Sequence, residues 1–132
     1  MSAQPIPIGI AIVEHDGHFL VGLRSSESSL PGLAEFPGGK CQAGESFADC
    51  ACRECVEETG LEVRAVQELD SLTFGYLHAT VELHFWHCRP VNSDEVAEAH
   101  QNFRWVSREE LSSLNFPEAN DRILQILCGP KS

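Results

Sequence analysis

Between Ser46 and Gly60 the chain carries a helix with both ends marked, and strand-like runs lie on either side of it. Ser46 followed three residues later by Asp49 makes a capping-box-like start, and Gly60 is a C-terminal stop, which leaves a helix of about four turns. Upstream, Ile8 to Val13 and His18 to Arg24 are β-branched and apolar, and the turn signal His15-Asp16-Gly17 between them makes a hairpin. Ser25 to Gly44 reads mostly as loop, interrupted by the short apolar stretch Leu33 to Phe36 and the irregular Pro37-Gly38-Gly39. Downstream, Leu61 to Phe74 and Leu77 to Arg89 read as two longer strands around Gly75-Tyr76. Val91 to Gln101 is an acidic loop and Phe103 to Val106 a last short strand. Ser107 with Glu110 opens a short helical turn, and Pro117 sits as first residue of a final helix ending at Gly129-Pro130. At 132 residues a single domain spanning residues 1–132 is expected.

Charge narrows the partners. Twenty acidic against nine basic residues give a net charge of −11, and such a field repels duplex nucleic acid and anionic membranes. A small anionic substrate is still accessible where a dication neutralises the contact locally. No apolar run is long enough to span a bilayer and Met1 to Pro7 lacks the pattern of a secretion signal, so a cytoplasmic location is expected.

The helix is sided. At about 100° per residue, Glu54, Glu57 and Glu58 fall within an arc of about 100°, while Ala48, Cys52, Cys55 and Thr59 form a separate small, apolar stripe suited to a core. An acidic helical face is ordinarily a solvated one. Two features argue otherwise: Glu54 and Glu58 repel at i,i+4, and Glu57 and Glu58 sit in the last turn, where the macrodipole favours cations. A hard cation is the natural compensation, and oxygen ligands in a site shared with phosphates suit magnesium or manganese.

Glycines at 38 and 39 permit close backbone approach just upstream, and Glu45 stands at the start of the helix. Together Gly39, Glu45, Arg53-Glu54-Cys55, Glu57-Glu58 and Gly60-Leu61 fill the fixed positions of a known signature, with Cys55 smaller than the aliphatic residue usual there. The stretch 39–61 resembles a Nudix box, the mark of the Nudix hydrolases. The resemblance implies an α+β fold, an α/β/α sandwich with a mixed β-sheet between helices. It also implies attack of water on a phosphorus of a nucleoside diphosphate derivative. By the same resemblance Glu54, Glu57 and Glu58 are metal ligands assisted by the Gly38 carbonyl, Arg53 orients the carboxylates, and Glu45 supports the loop or the water. Glu98, in the acidic loop, is the first candidate for a proton acceptor; an exposed loop acid is the plain alternative.

Two further segments resemble the MutT branch, which hydrolyses oxidised guanine nucleotides such as 8-oxo-dGTP. Leu33 to Lys40 matches its approach to the box, which makes Phe36 a candidate for base stacking and Arg24 a candidate phosphate contact. Asn115 to Asn120 matches the segment whose last Asn reads the purine edge, and an amide offers the donor and acceptor that a guanine edge requires. Tyr76 and His78 fall where that branch carries other pocket residues. By default Phe36 is core, Asn120 a helix cap and His78 a strand residue. A nucleotide is thus the expected partner, magnesium or manganese the cofactor, and the chain a monomer or homodimer. A CTP pyrophosphatase is the enzymatic rival, and a non-catalytic nucleotide-binding module the rival of another class.

The cysteines offer a competing site and are read as packing. Cys52 and Cys55 lie mid-helix on the core stripe, and Cys50 is turned about 160° from Cys52, so no second half of a zinc site is present. Free buried thiols are expected.

Overall fold

The structure, a computed structural model, describes residues 4–23 and 32–129. The chain begins with the hairpin β1 (Ile6–His15) and β2 (His18–Leu23), which turns on Asp16 and Gly17 with φ of 50° and 76°. Such left-handed conformations are tolerated by Asp and free for Gly. Next come β3 (Ala34–Glu35) and β4 (Gly38–Lys40), inside the stretch that the sequence assigns mostly to loop. The reason is non-local. β4 pairs antiparallel with β1, Gly38 opposite Ile10 and Gly39 opposite Gly9, and a Cβ on Gly38 would lie 2.7 Å from the Gly9 carbonyl oxygen. Glycine therefore acts here as a strand residue that allows close approach, not as a breaker.

Helix α1 (Phe47–Thr59) follows, then the long pair β5 (Val63–Gly75) and β6 (Thr80–Pro90). The chain continues through β7 (Ala99–His100), β8 (Phe103–Ser107), α2 (Arg108–Ser113) and α3 (Asp121–Cys128). The acidic loop holds a 3-10 turn at Ser93–Glu95 and the two-residue β7. Pro117 does not open the final helix: at ψ 150° it is extended and precedes a 3-10 turn at Glu118–Asn120, and α3 starts only at Asp121. At α2, Ser107 and Glu110 form a reciprocal capping box.

The strands run in the order β5-β6-β1-β2-β8-β7, with β3 on β2 and β4 on β1. β1 and β6 are parallel and the other pairs antiparallel, so the sheet is mixed. Alternation along β1 divides the core in two. Ala11 and Val13 face α1 with Leu20, Cys55 and Cys88, while Ile12 faces α2 and α3 with Phe19, Phe85 and Val106. Complete burial of a side chain such as Phe85 or Ile12 contributes about 1.5–3 kcal/mol. The result is the expected α+β, α/β/α sandwich. No helix of the described residues is long and apolar enough to cross a membrane.

The buried face of α1 is wider than the stripe read from the sequence. Cys50 and Ala51 are fully buried along with Cys55 and Thr59, whereas Ala48 and Cys52 are half-buried. Gly9 on β1 causes this, because a Cβ there would lie 2.7 Å from the Cys50 sulfur and 2.9 Å from the Ala51 nitrogen. The helix settles into that gap, and the arc facing the sheet then also includes Glu54 and Glu58.

Candidate active site

The start of α1 is fixed by Ser46, whose hydroxyl accepts from the Asp49 amide at 3.0 Å, and its end by Gly60 at φ 78°. From this helix Arg53 engages all five of its N–H groups. Nε and Nη2 donate to the two oxygens of Glu45 at 2.7 and 3.0 Å, and Nη1 donates to Glu54 at 2.8 Å and Glu57 at 2.9 Å. Nη2 also reaches the Lys40 carbonyl at 3.0 Å. Glu45 further accepts from the Gln42 amide at 2.9 Å, which closes the turn ahead of the helix. The Arg53 guanidinium, followed by the Gln42 amide, lowers the Glu45 carboxyl to about 2, and Glu45 in turn raises Arg53.

Glu58 lies on the other side of this group and is half-buried. Its Oε1 accepts from the Gly38 amide at 2.8 Å. Burial pushes its carboxyl up to about 7; the Gly38 amide opposes the rise, while the nearby charges of Glu35, Glu54 and Glu57 add to it. Gly39 has no room for a side chain, because a Cβ would overlap the Glu54 carboxylate. Three carboxylates around one guanidinium, with Glu58 beside them pushed up by burial, form a site short of positive charge.

The donor set fits a hard dication, being carboxylate oxygens plus the carbonyl of Gly38, whose amide already holds Glu58. Among the described residues, however, no three side chains stand ready as a metal cage. Arg53 and the Gly38 amide occupy the oxygens instead, so a cation would have to draw them off these partners.

Next to the carboxylates is a pocket of about 250 Å3, and Gly38, Gly39 and Glu58 belong to its wall. The rest of the wall includes Ile8, Ile10, Val81 and Leu83 from the sheet, with Phe36, Tyr76 and Asn120 from the expected substrate residues. Phe36 is buried and stacks on Phe116 at 4.8 Å between ring centres, so it is both core and wall. Tyr76, at the β5–β6 tip, is half-exposed and contacts Phe74. The Asn120 amide nitrogen donates to the Pro117 carbonyl at 3.3 Å. A larger open groove between α2 and α3, lined by residues such as Leu114, Phe116 and Leu124, has Asp121 as its only acidic side chain and no cluster of titratable groups.

Two expected residues, His78 and Glu98, are not brought to this pocket. His78 is exposed at the β5–β6 tip and is not part of the wall. Arg24 lies outside the described residues. Glu98 is exposed before β7, on a segment tied to β8 by the Trp105 indole bond to the Ala97 carbonyl at 2.9 Å. Among the described residues no hydrogen bond or ion pair joins Glu98 to the carboxylates. Conversely, Glu35 lines the pocket beside Phe36 and was not picked out by the sequence. Its signal was a charge within the apolar stretch Leu33 to Phe36.

Comparison with known proteins identifies the family of the fold. The family model for the NUDIX domain matches residues 9–125. A CTP pyrophosphohydrolase of Escherichia coli is 34% identical over 114 residues, 86% of this chain and 83% of that protein. An 8-oxo-dGTP diphosphatase of the same organism is 26% identical over 124 residues, 94% of this chain and 95% of that protein. The solution structure of the mismatch-repair protein MutT from methicillin-resistant Staphylococcus aureus superposes with a TM-score of 0.75 at 28% identity, covering 96% of this chain and 98% of that one. With its box, its sandwich fold and these relatives, the chain belongs to the Nudix hydrolase family as a MutT-like enzyme.

Proposed function

We propose that the protein hydrolyses a nucleoside triphosphate to its monophosphate and pyrophosphate, using magnesium, or manganese in its place. The substrate is an oxidised purine nucleotide such as 8-oxo-dGTP, and the role is to clear it from the cytoplasmic nucleotide pool. One observation carries this reading: Glu58, Gly38 and Gly39 belong both to the carboxylate site and to the wall of the pocket formed by Phe36, Tyr76 and Asn120. A base held by those three leads its phosphates onto the carboxylates.

Glu54, Glu57, Glu58 and the Gly38 carbonyl would hold the ion. When bound, it supplies neutralisation of phosphoryl oxygens and lowers the cost of forming a nucleophile from water. The chain's own residues do the positioning. Glu45 fixes Arg53, which sets the orientation of Glu54 and Glu57. Phe36 and Tyr76 offer aromatic faces to the base, and Asn120 offers an amide able to donate and accept once it leaves the Pro117 carbonyl. Glu98 takes the proton of the attacking water when bound substrate draws its segment inward.

A second reading has support of its own. The CTP pyrophosphohydrolase relative is more similar to this chain than the 8-oxo-dGTP diphosphatase, at 34% against 26% identity, which favours a pyrimidine triphosphate. Monophosphate and pyrophosphate release from 8-oxo-dGTP, dGTP and CTP decides between them. A preference for the oxidised purine is expected, together with a loss of at least about a hundredfold in Glu57→Gln. A preference for CTP would replace the substrate, and an undiminished Glu57→Gln rate would remove the ligand assignment.

A further inference from the structure

The proposed reaction has no use for thiols, yet two of them face each other beside the carboxylate loop. Cys41 follows β4 and extends its ladder, with its amide donating to the Pro7 carbonyl at 2.9 Å. Side chains alternate along a strand, so Cys41 projects to the same side as Gly39, toward α1. From α1, the fully buried Cys50 donates its S–H to the Gly39 carbonyl at 3.4 Å, and its thiol is close enough to that of Cys41 for each to influence the other's titration. The residues between the two cysteines include the Gln42–Glu45 turn and the Ser46 cap.

We propose that Cys41 and Cys50 form a reversible disulfide when a hydroperoxide is present, and that this bond slows the hydrolase. The half-buried Cys41 thiol meets the oxidant first: its sulfur takes an oxygen, the O–O bond breaks, and a sulfenic acid and one water result when the oxidant is hydrogen peroxide. The Cys50 sulfur then attacks the sulfenic sulfur. The S–S bond forms, the S–O bond breaks, and a second water leaves with the Cys50 proton. Two thiols are oxidised by two electrons and one peroxide is reduced. Burial raises both thiols, Cys50 to about 12, which keeps the pair protonated at rest and makes this a response to sustained oxidant.

The link to the site is short. A Cys50 without its hydrogen leaves the Gly39 carbonyl without that donor, and Gly39 lies directly under the Glu54 carboxylate. Lys40, whose carbonyl accepts from Arg53, is drawn along with Cys41. A second thiol pair, Cys52 with Cys88, joins α1 to β6 inside the core and has no such link.

The effect on rate rests on the proposed hydrolysis; the disulfide itself does not. The full chain is treated with hydrogen peroxide, alkylated, digested and mapped by mass spectrometry, and hydrolysis of 8-oxo-dGTP and CTP is followed in parallel. The expected result is a linked 41–50 peptide, a fall of roughly tenfold in rate, and recovery with dithiothreitol. Cys41→Ser keeps its rate under peroxide, and Cys52→Ser loses it as the native chain does. The absence of a linked 41–50 peptide overturns the proposal, as does equal inactivation of Cys41→Ser. A reduced protein inert toward every nucleotide would remove the proposed function, and the linked peptide would then decide the disulfide alone.

Discussion

Arg53 and Glu45 are joined by two parallel hydrogen bonds of 2.7 and 3.0 Å, which fasten the loop ahead of α1 to the second turn of carboxylates on the helix. A guanidinium–carboxylate fork of this kind fixes direction as well as distance. It is the reason Nη1 is aimed at both Glu54 and Glu57. The site is therefore organised by a pair of residues that need not touch the substrate.

Substitution Glu45→Gln tests this. The amide retains an acceptor but loses the charge, so Arg53 becomes free to turn, and turnover is expected to fall by about 10- to 100-fold. The pH dependence of stability has a definite sign. Glu45 titrates at about 2 in the fold, below its ordinary 4.5, chiefly because of Arg53. Its stabilisation is fully present above 4.5 and is lost as the pH falls toward about 2. The difference in melting temperature between the native chain and Glu45→Gln should be constant above 4.5 and shrink as the pH falls to about 2. A difference unchanged at pH 2 would show that the fork does not carry that stability.

Much of this was legible in the sequence where the cause was local. The ends of α1, the carboxylate spacing and the capping box at Ser107 depend on residues a few positions apart. What escaped depended on contacts between distant segments. β4 exists because Gly38 and Gly39 fit against β1, and Cys50 is buried because Gly9 leaves it room. Glu35 looked like one charge in an apolar stretch until β3 placed it in the pocket wall with Asn120. Arg53 was readable as a companion of the carboxylates, whereas its use of every N–H required the loop carrying Glu45 and Lys40 to fold back on the helix.

The two glycines under α1 should fail in different ways. In Gly9→Ala the new methyl meets Cys50 and the Ala51 backbone, so the helix must lift from the sheet, at a cost of about 1–3 kcal/mol. In Gly39→Ala the methyl meets the carboxylate of Glu54, a flexible side chain that can turn away. Stability should then change little while the proposed hydrolysis falls by at least about tenfold. Urea denaturation and turnover measured on both variants check this crossing pattern. Equal stability losses would show that Gly39 is a packing residue only.

Glu58 gives the most direct test of the cation. Its folded carboxyl sits at about 7 against an ordinary 4.5, mainly through burial, with Glu35, Glu54 and Glu57 adding to the rise against the Gly38 amide. A raised carboxyl favours the fold when protonated. Its contribution is complete below 4.5, declines as the pH rises to about 7, and is constant beyond, so the metal-free chain should lose stability across that window. A dication binds the ionised form and must displace the proton where one is held. Magnesium titrated by calorimetry in two buffers of different ionisation enthalpy should therefore release about one proton at pH 6 and almost none at pH 8. Glu58→Gln should abolish the release and flatten the stability profile. Proton release that is the same at both pH values would place the cation away from Glu58.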